Sequence, residues 1–350
     1  MVLNAITAAI WGSKGAMAVL MVACNGLLIG IILGFAQLRS RHELLLLAWL
    51  ALFDATYGLG VLCSLFYRLG VVEAKVYGNG TMSTTAWDCF LKPQTPFFLV
   101  GVQCTAMMLV VISLDRLIAV KWFGIYLSIT SRHAWWLLCA LLAYAALLLL
   151  TVGLLSYYVA DNSQPNVHAY CFSNQVANPG YKLYQPTLQV VCGSASCIIF
   201  LFAYCYFRQH NAGVMELTGA SAEQRKRQDR FTKLVGLSTV VTLVFYVAPF
   251  FMVNVVDMMK SSGYISSQQF TNIKGITYTI GHTNSIVNIF IFGLKQEDIK
   301  RAVQELSTRL FCRKKTSTQV HSTAQYSRNH PTTSVTIDKN GNRANSKHMY

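Results

Sequence analysis

Residues 134–160 read AWWLLCALLAYAALLLLTVGLLSYYVA, 27 consecutive positions without an Asp, Glu, Lys or Arg. As a helix this stretch rises about 40 Å, more than the hydrocarbon core of a bilayer, which about 20 apolar residues already cross. Working outward in both directions, six further runs of this kind appear. They are Gly15 to Leu38, Leu44 to Tyr67 (interrupted once, by Asp54), Phe97 to Leu114, Leu183 to Phe207, Leu234 to Val256 and Gly275 to Leu294. The third of the seven is the shortest and recruits Pro96 at its start and Asp115 at its end.

Seven such runs within 350 residues would demand an implausibly large soluble core if they were ordinary buried helices. They are continuous rather than alternating, which excludes a membrane β-barrel. The sequence therefore predicts an all-α membrane protein, a seven-transmembrane helix bundle. The composition agrees: 53% of residues are hydrophobic and 12% charged, against about 25% charged in a soluble domain. The net charge of +15 falls between the apolar runs, so a nucleic-acid partner is not expected.

Those charges also orient the bundle, because basic residues gather on the cytoplasmic side. Of the 29 Lys and Arg, 22 fall in the first, third and fifth connections and the C-terminal tail. The N-terminus is then extracellular and the C-terminus cytoplasmic, in a multi-pass protein of the plasma membrane. The expected organisation is an extracellular tail over 1–14, the bundle over 15–293, an amphipathic membrane-surface helix over 294–312 and a disordered cytoplasmic tail over 313–350. Two features fit this orientation. Asn79-Gly80-Thr81 is a glycosylation acceptor in an exterior connection. Of the ten cysteines, only Cys89 and Cys171 face the oxidising side, placed for a disulfide that pins the connection before the fifth span.

An ionisable group in hydrocarbon costs about 2.5 to 3.5 kcal/mol on insertion scales and marks function by default. Asp54 is the clear case, ten residues into its run. Asn284, Ser285 and Asn288 of the seventh run, Thr105 of the third and Asn25 of the first lie at similar depth. One carboxylate among neutral oxygens suits a sodium ion, and suits equally a hydrogen-bond network without an ion. The third run ends in Asp115-Arg116-Leu117, which alone would read as interfacial charge.

Taken in order, Asn25, Leu50-Ala51-Leu52-Phe53-Asp54, Asp115-Arg116-Leu117, Trp135 or Trp136, Pro249 and Asn284-Ser285-Ile286-Val287-Asn288-Ile289-Phe290-Ile291-Phe292 resemble the motif set of rhodopsin-like (family A) G-protein-coupled receptors. The resemblance implies roles. Arg116 would swing toward a heterotrimeric G protein on activation, with Asp115 beside it and Asp229 restraining it at rest. Asn288 and Phe292 would belong to the seventh-span switch. Asp54, Thr105, Asn284, Ser285 and Asn288 would form a sodium pocket. The departures are Leu117 where Tyr is usual, Asn288-Ile289 and Phe292 where Asn-Pro and Tyr are usual, and Tyr246-Val247 where a Cys-Trp pair is common. They put the usual tryptophan switch in doubt.

The same resemblance places Phe98, Gln103, Tyr246, Phe250, Phe251, Asn254, Tyr278 and His282 in a ligand pocket. Phe98 stands where amine receptors carry an acid, and His282 where opsins carry the retinal lysine, so neither a monoamine nor retinal is expected. Apart from a possible sodium ion, no cofactor is implied. A small neutral or apolar ligand is favoured, with a short peptide as the alternative. Leu294 to Phe311 sets Leu294, Ile299, Val303, Leu306 and Leu310 on one stripe, an amphipathic helix lying on membrane lipid. Cys312 follows as a palmitoylation candidate, and the Ser/Thr-rich tail could capture arrestin once phosphorylated.

A carrier is the rival class, but the odd number of spans and the absence of an internal repeat count against it. No nucleophilic or paired-carboxylate constellation suggests an enzyme. Within the family, the motif departures look similar to divergent chemosensory receptors such as the nematode Srsx-type group, with a peptide receptor as the alternative.

Overall fold

The structure is a computed structural model that describes residues 5–77, 83–162, 167–168, 171, 179–210 and 222–311. Asn79 and Cys312 lie outside the described residues. The chain forms α1 (Ala5–Gly34), α2 (Ala36–Arg39), α3 (His42–Tyr77), β1 (Ser83–Thr84), α4 (Ala86–Phe90), α5 (Gln94–Lys121), α6 (Phe123–Ser128) and α7 (Ser131–Asn162). It continues with β2 (Val167–His168), α8 (Pro179–His210), α9 (Ala222–Thr242), a π-helical turn (Leu243–Val247), α10 (Ala248–Ser261), α11 (Ser267–Lys295) and α12 (Glu297–Phe311). The compact unit runs through Gln304, and the second unit begins at Glu305 within α12.

Among the described residues, six stretches, within α1, α3, α5, α7, α8 and the segment Thr232–Lys260, are long and apolar enough to cross a membrane. The seventh long helix, α11, has 29 residues but is diluted by Gln268, Asn272, Lys274, Thr277 and Thr279. Of these, Lys274 pairs with Asp257 of α10, while Thr277 and Thr279 donate to carbonyls of their own helix. Outward faces of the bundle are apolar: Trp136, Leu147, Leu150, Leu154, Leu201 and Phe202 are all exposed, the inverse of a soluble protein and what a lipid surround requires.

The helices overrun the apolar runs at both ends. α1 begins at Ala5, so most of the stretch read as an N-terminal tail is helical. Ala5, Ala8 and Ala9 are strong helix formers, and nothing there stops the helix. α5 extends from Gln94 to Lys121, seven residues past Leu114, because a charge ends an apolar run without ending a helix. α3 is the enclosed helix, with Leu44 to Ala51 buried almost without a break.

The segments preceding the two bridged cysteines are clipped together. β1 and β2 pair antiparallel, Ser83 opposite His168 and Thr84 opposite Val167. Thr85 caps α4 by accepting from the Asp88 N–H at 3.0 Å, and Cys89 on that helix is bonded to Cys171, with Cα atoms 5.2 Å apart. The disulfide expected from the sequence is thus present, buried beside Tyr67 and Phe90. Cys171 takes φ +45°, a conformation that costs a non-glycine residue about 1 kcal/mol or more and persists where its surroundings enforce it.

Candidate functional site

At the end of the bundle away from the disulfide, Arg116 is 1% exposed. Its Nε donates to Asp115 Oδ2 at 3.0 Å, and an Nη2 donation to the same oxygen closes the pair. The same nitrogen donates to the Tyr126 hydroxyl at 2.8 Å, and the guanidinium lies 5.6 Å from the centre of that ring. His42 completes the cluster: its Nε2 is 3.3 Å from Asp115 Oδ1 and its ring meets Tyr126 edge-on at 4.8 Å. A buried guanidinium is tolerable only when paired and hydrogen-bonded, and here three elements, α3, α5 and α6, converge to do this. Burial pushes the Tyr126 hydroxyl well above the usual tyrosine range, keeping it a neutral partner. Asp229 is helical in α9, but its side chain lies outside the described residues.

Tyr126 and His42 carried no signal in the sequence reading. Tyr126 lies in a short connecting helix with no run to place it, and His42 sits where a charged connection was expected. Of the two candidate tryptophans, Trp135 packs edge-on against Trp49 at 4.7 Å while Trp136 points outward.

Midway along the bundle, Asp54 is 6% exposed and accepts from the Thr105 hydroxyl at 2.9 Å. Ser285 also faces Asp54, and it accepts from Asn25 Nδ2 at 3.1 Å. Asn288 Oδ1 accepts from Ser238 at 2.6 Å, which ties α11 to α9. Asn284 Oδ1 and Asn288 Nδ2 are buried without a hydrogen-bond partner. The set holds one carboxylate, two hydroxyls and an unused amide oxygen, a hard-oxygen collection whose chemistry fits a sodium ion. Among the described residues no group of three or more His, Cys, Asp or Glu gathers to hold a metal. Phe292 is buried below Asn288 on the same helix.

Toward the disulfide end the bundle holds a cluster of aromatic rings packed edge to face. Tyr57 meets Phe98 at 5.4 Å and His282 at 5.0 Å, Tyr246 meets Phe250 at 5.0 Å, and Phe250 meets Tyr278 at 5.6 Å. Gln189 of α8 faces the Tyr246 hydroxyl, and Gln103 is buried on α5. Tyr57 was missed, although it lies one turn after Asp54 and so on the same helix face.

The expected pocket residue Phe251 is a correction: it is 56% exposed, beside a buried Phe250. Consecutive helical residues point about 100° apart, and of the two rings Phe250 is the one packed inside the bundle, against Tyr246 and Tyr278. Asn254 is half-buried.

The model of a family described as 7 transmembrane receptor (rhodopsin family) matches residues 24–292, more than three quarters of the chain. No curated protein matches it.

Proposed function

Because the chain belongs to the rhodopsin family of seven-transmembrane receptors, multi-pass plasma-membrane proteins that answer an extracellular ligand through G proteins, we propose how its parts divide that work. The aromatic cluster receives a small, largely apolar molecule from outside the cell. The Arg116 cluster, on the cytoplasmic side, holds the receptor at rest. A ligand that favours the open bundle releases Arg116 toward the G protein, by shifting a two-state equilibrium. The set around Asp54 carries a sodium ion in the resting state and loses it as the bundle closes around that depth.

The observation that carries this reading is the burial of Arg116 against Asp115 and Tyr126. A buried arginine held by the adjacent Asp115 and by Tyr126 of α6, with His42 of α3 beside the other oxygen of Asp115, acts as a latch, because a movement of α6 away from α5 breaks the Tyr126 contact. The test is nucleotide exchange on a panel of purified Gα subunits by the reconstituted full-length protein, with Arg116→Ala as the comparison. Exchange should depend on Arg116. Exchange that survives the substitution unchanged would remove Arg116 from the coupling role.

A further inference from the structure

The buried Arg116 pair is one end of a longer run of charges. Arg116 holds Asp115 Oδ2, and the other oxygen of that carboxylate lies 3.3 Å from His42 Nε2. His42 Nδ1 lies 3.5 Å from Glu43 Oε2. The second oxygen of Glu43 accepts from Arg41 Nε at 2.8 Å and from Arg41 Nη2 at 2.6 Å. Arg41 Nη1 in turn donates to Asp298, in the first turn of α12. Along its length the run alternates guanidinium, carboxylate, imidazole, carboxylate, guanidinium, carboxylate, and it passes from α5 through α3 to α12. Beside Asp298, Glu297 pairs with Arg230 of α9, so the same turn of α12 is also tied to that helix.

Among these six side chains three carboxylates meet two guanidiniums, and the imidazole decides whether the charges balance. His42 is 8% exposed, and each of its ring nitrogens faces a carboxylate oxygen. A neutral imidazole carries one N–H and one lone pair, so one of the two carboxylates must then meet a lone pair. An imidazolium presents an N–H to both. Nε2 completes no well-aligned hydrogen bond at this geometry, so what holds it near Asp115 is charge.

The groups around His42 are Asp115 and Arg116 of α5, Tyr126 of α6, Glu43 and Arg41 of its own segment and, through Arg41, Asp298 of α12. Arg41, Arg116 and the N-terminus of α3 oppose a further positive charge there. Each guanidinium, however, occupies one oxygen of a carboxylate whose second oxygen is turned toward the imidazole. Tyr126 meets the ring edge-on as a neutral phenol that accepts from Arg116.

We propose that His42 is a proton-binding site that sets the resting latch: as the imidazolium it bridges Asp115 and Glu43 and holds the Arg116 pair in place, and on losing the proton it opens the run at its centre. The receptor then reads cytoplasmic pH as well as its ligand, a property that rests on the receptor reading for its output. An imidazole changes charge between about pH 5 and 8. Because the bridged arrangement is the resting one, the resting protein binds this proton more tightly than the active form. By linkage, a rise in pH shifts the equilibrium toward the active bundle.

The experiment uses the full-length protein in nanodiscs, with two readouts taken across about pH 6 to 8. One is thermal unfolding. The other is basal nucleotide exchange on a purified Gα subunit, with the rate in receptor-free discs subtracted at each pH. The variants are His42→Gln, which keeps a donor without a charge, and His42→Arg, which keeps the charge throughout. A proton held by the folded state stabilises it most at the acid end, so the wild type should lose melting temperature with rising pH more steeply than either variant. Its basal exchange should rise about fivefold over the same interval. His42→Gln should exchange at a high rate throughout and His42→Arg at a low one; should His42→Gln fail to melt cooperatively, the flat, low profile of His42→Arg carries the test. A melting slope that both variants keep would overturn the proposal, because the proton then sits elsewhere. A slope that depends on His42 beside an exchange rate indifferent to pH would overturn it too, by detaching the proton from the latch. Exchange that Arg116→Ala leaves unaltered counts against the receptor reading instead, and the melting profiles still decide whether His42 holds the proton.

Discussion

Gly101→Ala tests the seam that aligns both candidate sites. A Cβ on Gly101 would stand 2.6 Å from Tyr57 N and Cβ and 2.7 Å from Tyr57 Cα, where ordinary contact begins at 3.4 Å. The obstructing atoms belong to backbone and to a Cβ, so no rotamer change relieves them. α3 and α5 must part by the better part of an ångström. Alanine gains about 1 kcal/mol over glycine in helix propensity, whereas overpacking costs about 1 to 3 kcal/mol and occasionally more. Rigid obstruction on three atoms puts this site at the upper end, and the net loss is about 2 kcal/mol. The same movement stretches the 2.9 Å bond from Thr105 to Asp54, one turn along α5. At about 2 to 4 °C per kcal/mol for a fold of this size, melting in nanodiscs should fall by roughly 4 to 8 °C. Gly30→Ala is the control, since nothing lies within 4 Å of its added methyl. It should melt at or above the wild-type temperature. A Gly101→Ala protein as stable as the wild type would refute the close approach of these helices.

Tyr126→Phe removes the hydroxyl that accepts from Arg116 at 2.8 Å. Losing about 1 kcal/mol from the resting state should raise basal nucleotide exchange roughly fivefold, and an unchanged baseline would show that this bond does not restrain Arg116. At the opposite end, the Thr85 hydroxyl donates to Asp88 at 2.7 Å and holds that carboxyl below the usual range. A folded-state value below the unfolded one means that the contribution is present above the ordinary carboxylate range and is lost as pH falls through the lowered value. Thr85→Ala should therefore flatten the pH dependence of melting between about pH 5 and 3; a profile that keeps its slope would detach Asp88 from this cap.

The bundle was legible because an uncharged run of bilayer length needs no knowledge of its neighbours. The Asp54 group was legible for a related reason: a lone carboxylate at mid-depth demands polar partners at the same depth, and Thr105 and Ser285 are there. What escaped depends on how elements meet. Tyr126 reaches Arg116 through the turn that ends α5 at Trp122, and no periodicity in a six-residue helix points to it. Lys14 was read as tail charge because the first run was drawn from the last charge onward, whereas α1 carries that charge inside the helix. Phe251 was assigned inward by its match to a pocket position, although the burial of Phe250 beside it settles which ring faces the bundle.

The altered sixth span is the departure with a visible mechanical answer. Ser238, Thr242, Tyr246 and Phe250 recur every fourth residue and are all buried. In an unbroken α-helix each four-residue step drifts about 40°, so three steps would carry Phe250 about 120° away from the Ser238 face. The π-helical turn Leu243–Val247 interrupts that drift, with the Ala248 N–H donating to the Leu243 carbonyl five residues back. Wider turns of this kind absorb extra residues and tend to sit at functional positions. Pro249 follows at once and supplies no N–H of its own, so the ladder is already loosened where the register changes. The outcome is one inward column along the segment. Its lower end donates from Ser238 to Asn288 at 2.6 Å, and its upper end places Phe250 against Tyr278. Phe250 and the buried Ser238–Asn288 hydrogen bond thus lie on one column about 18 Å apart along the helix, a column that contains no tryptophan.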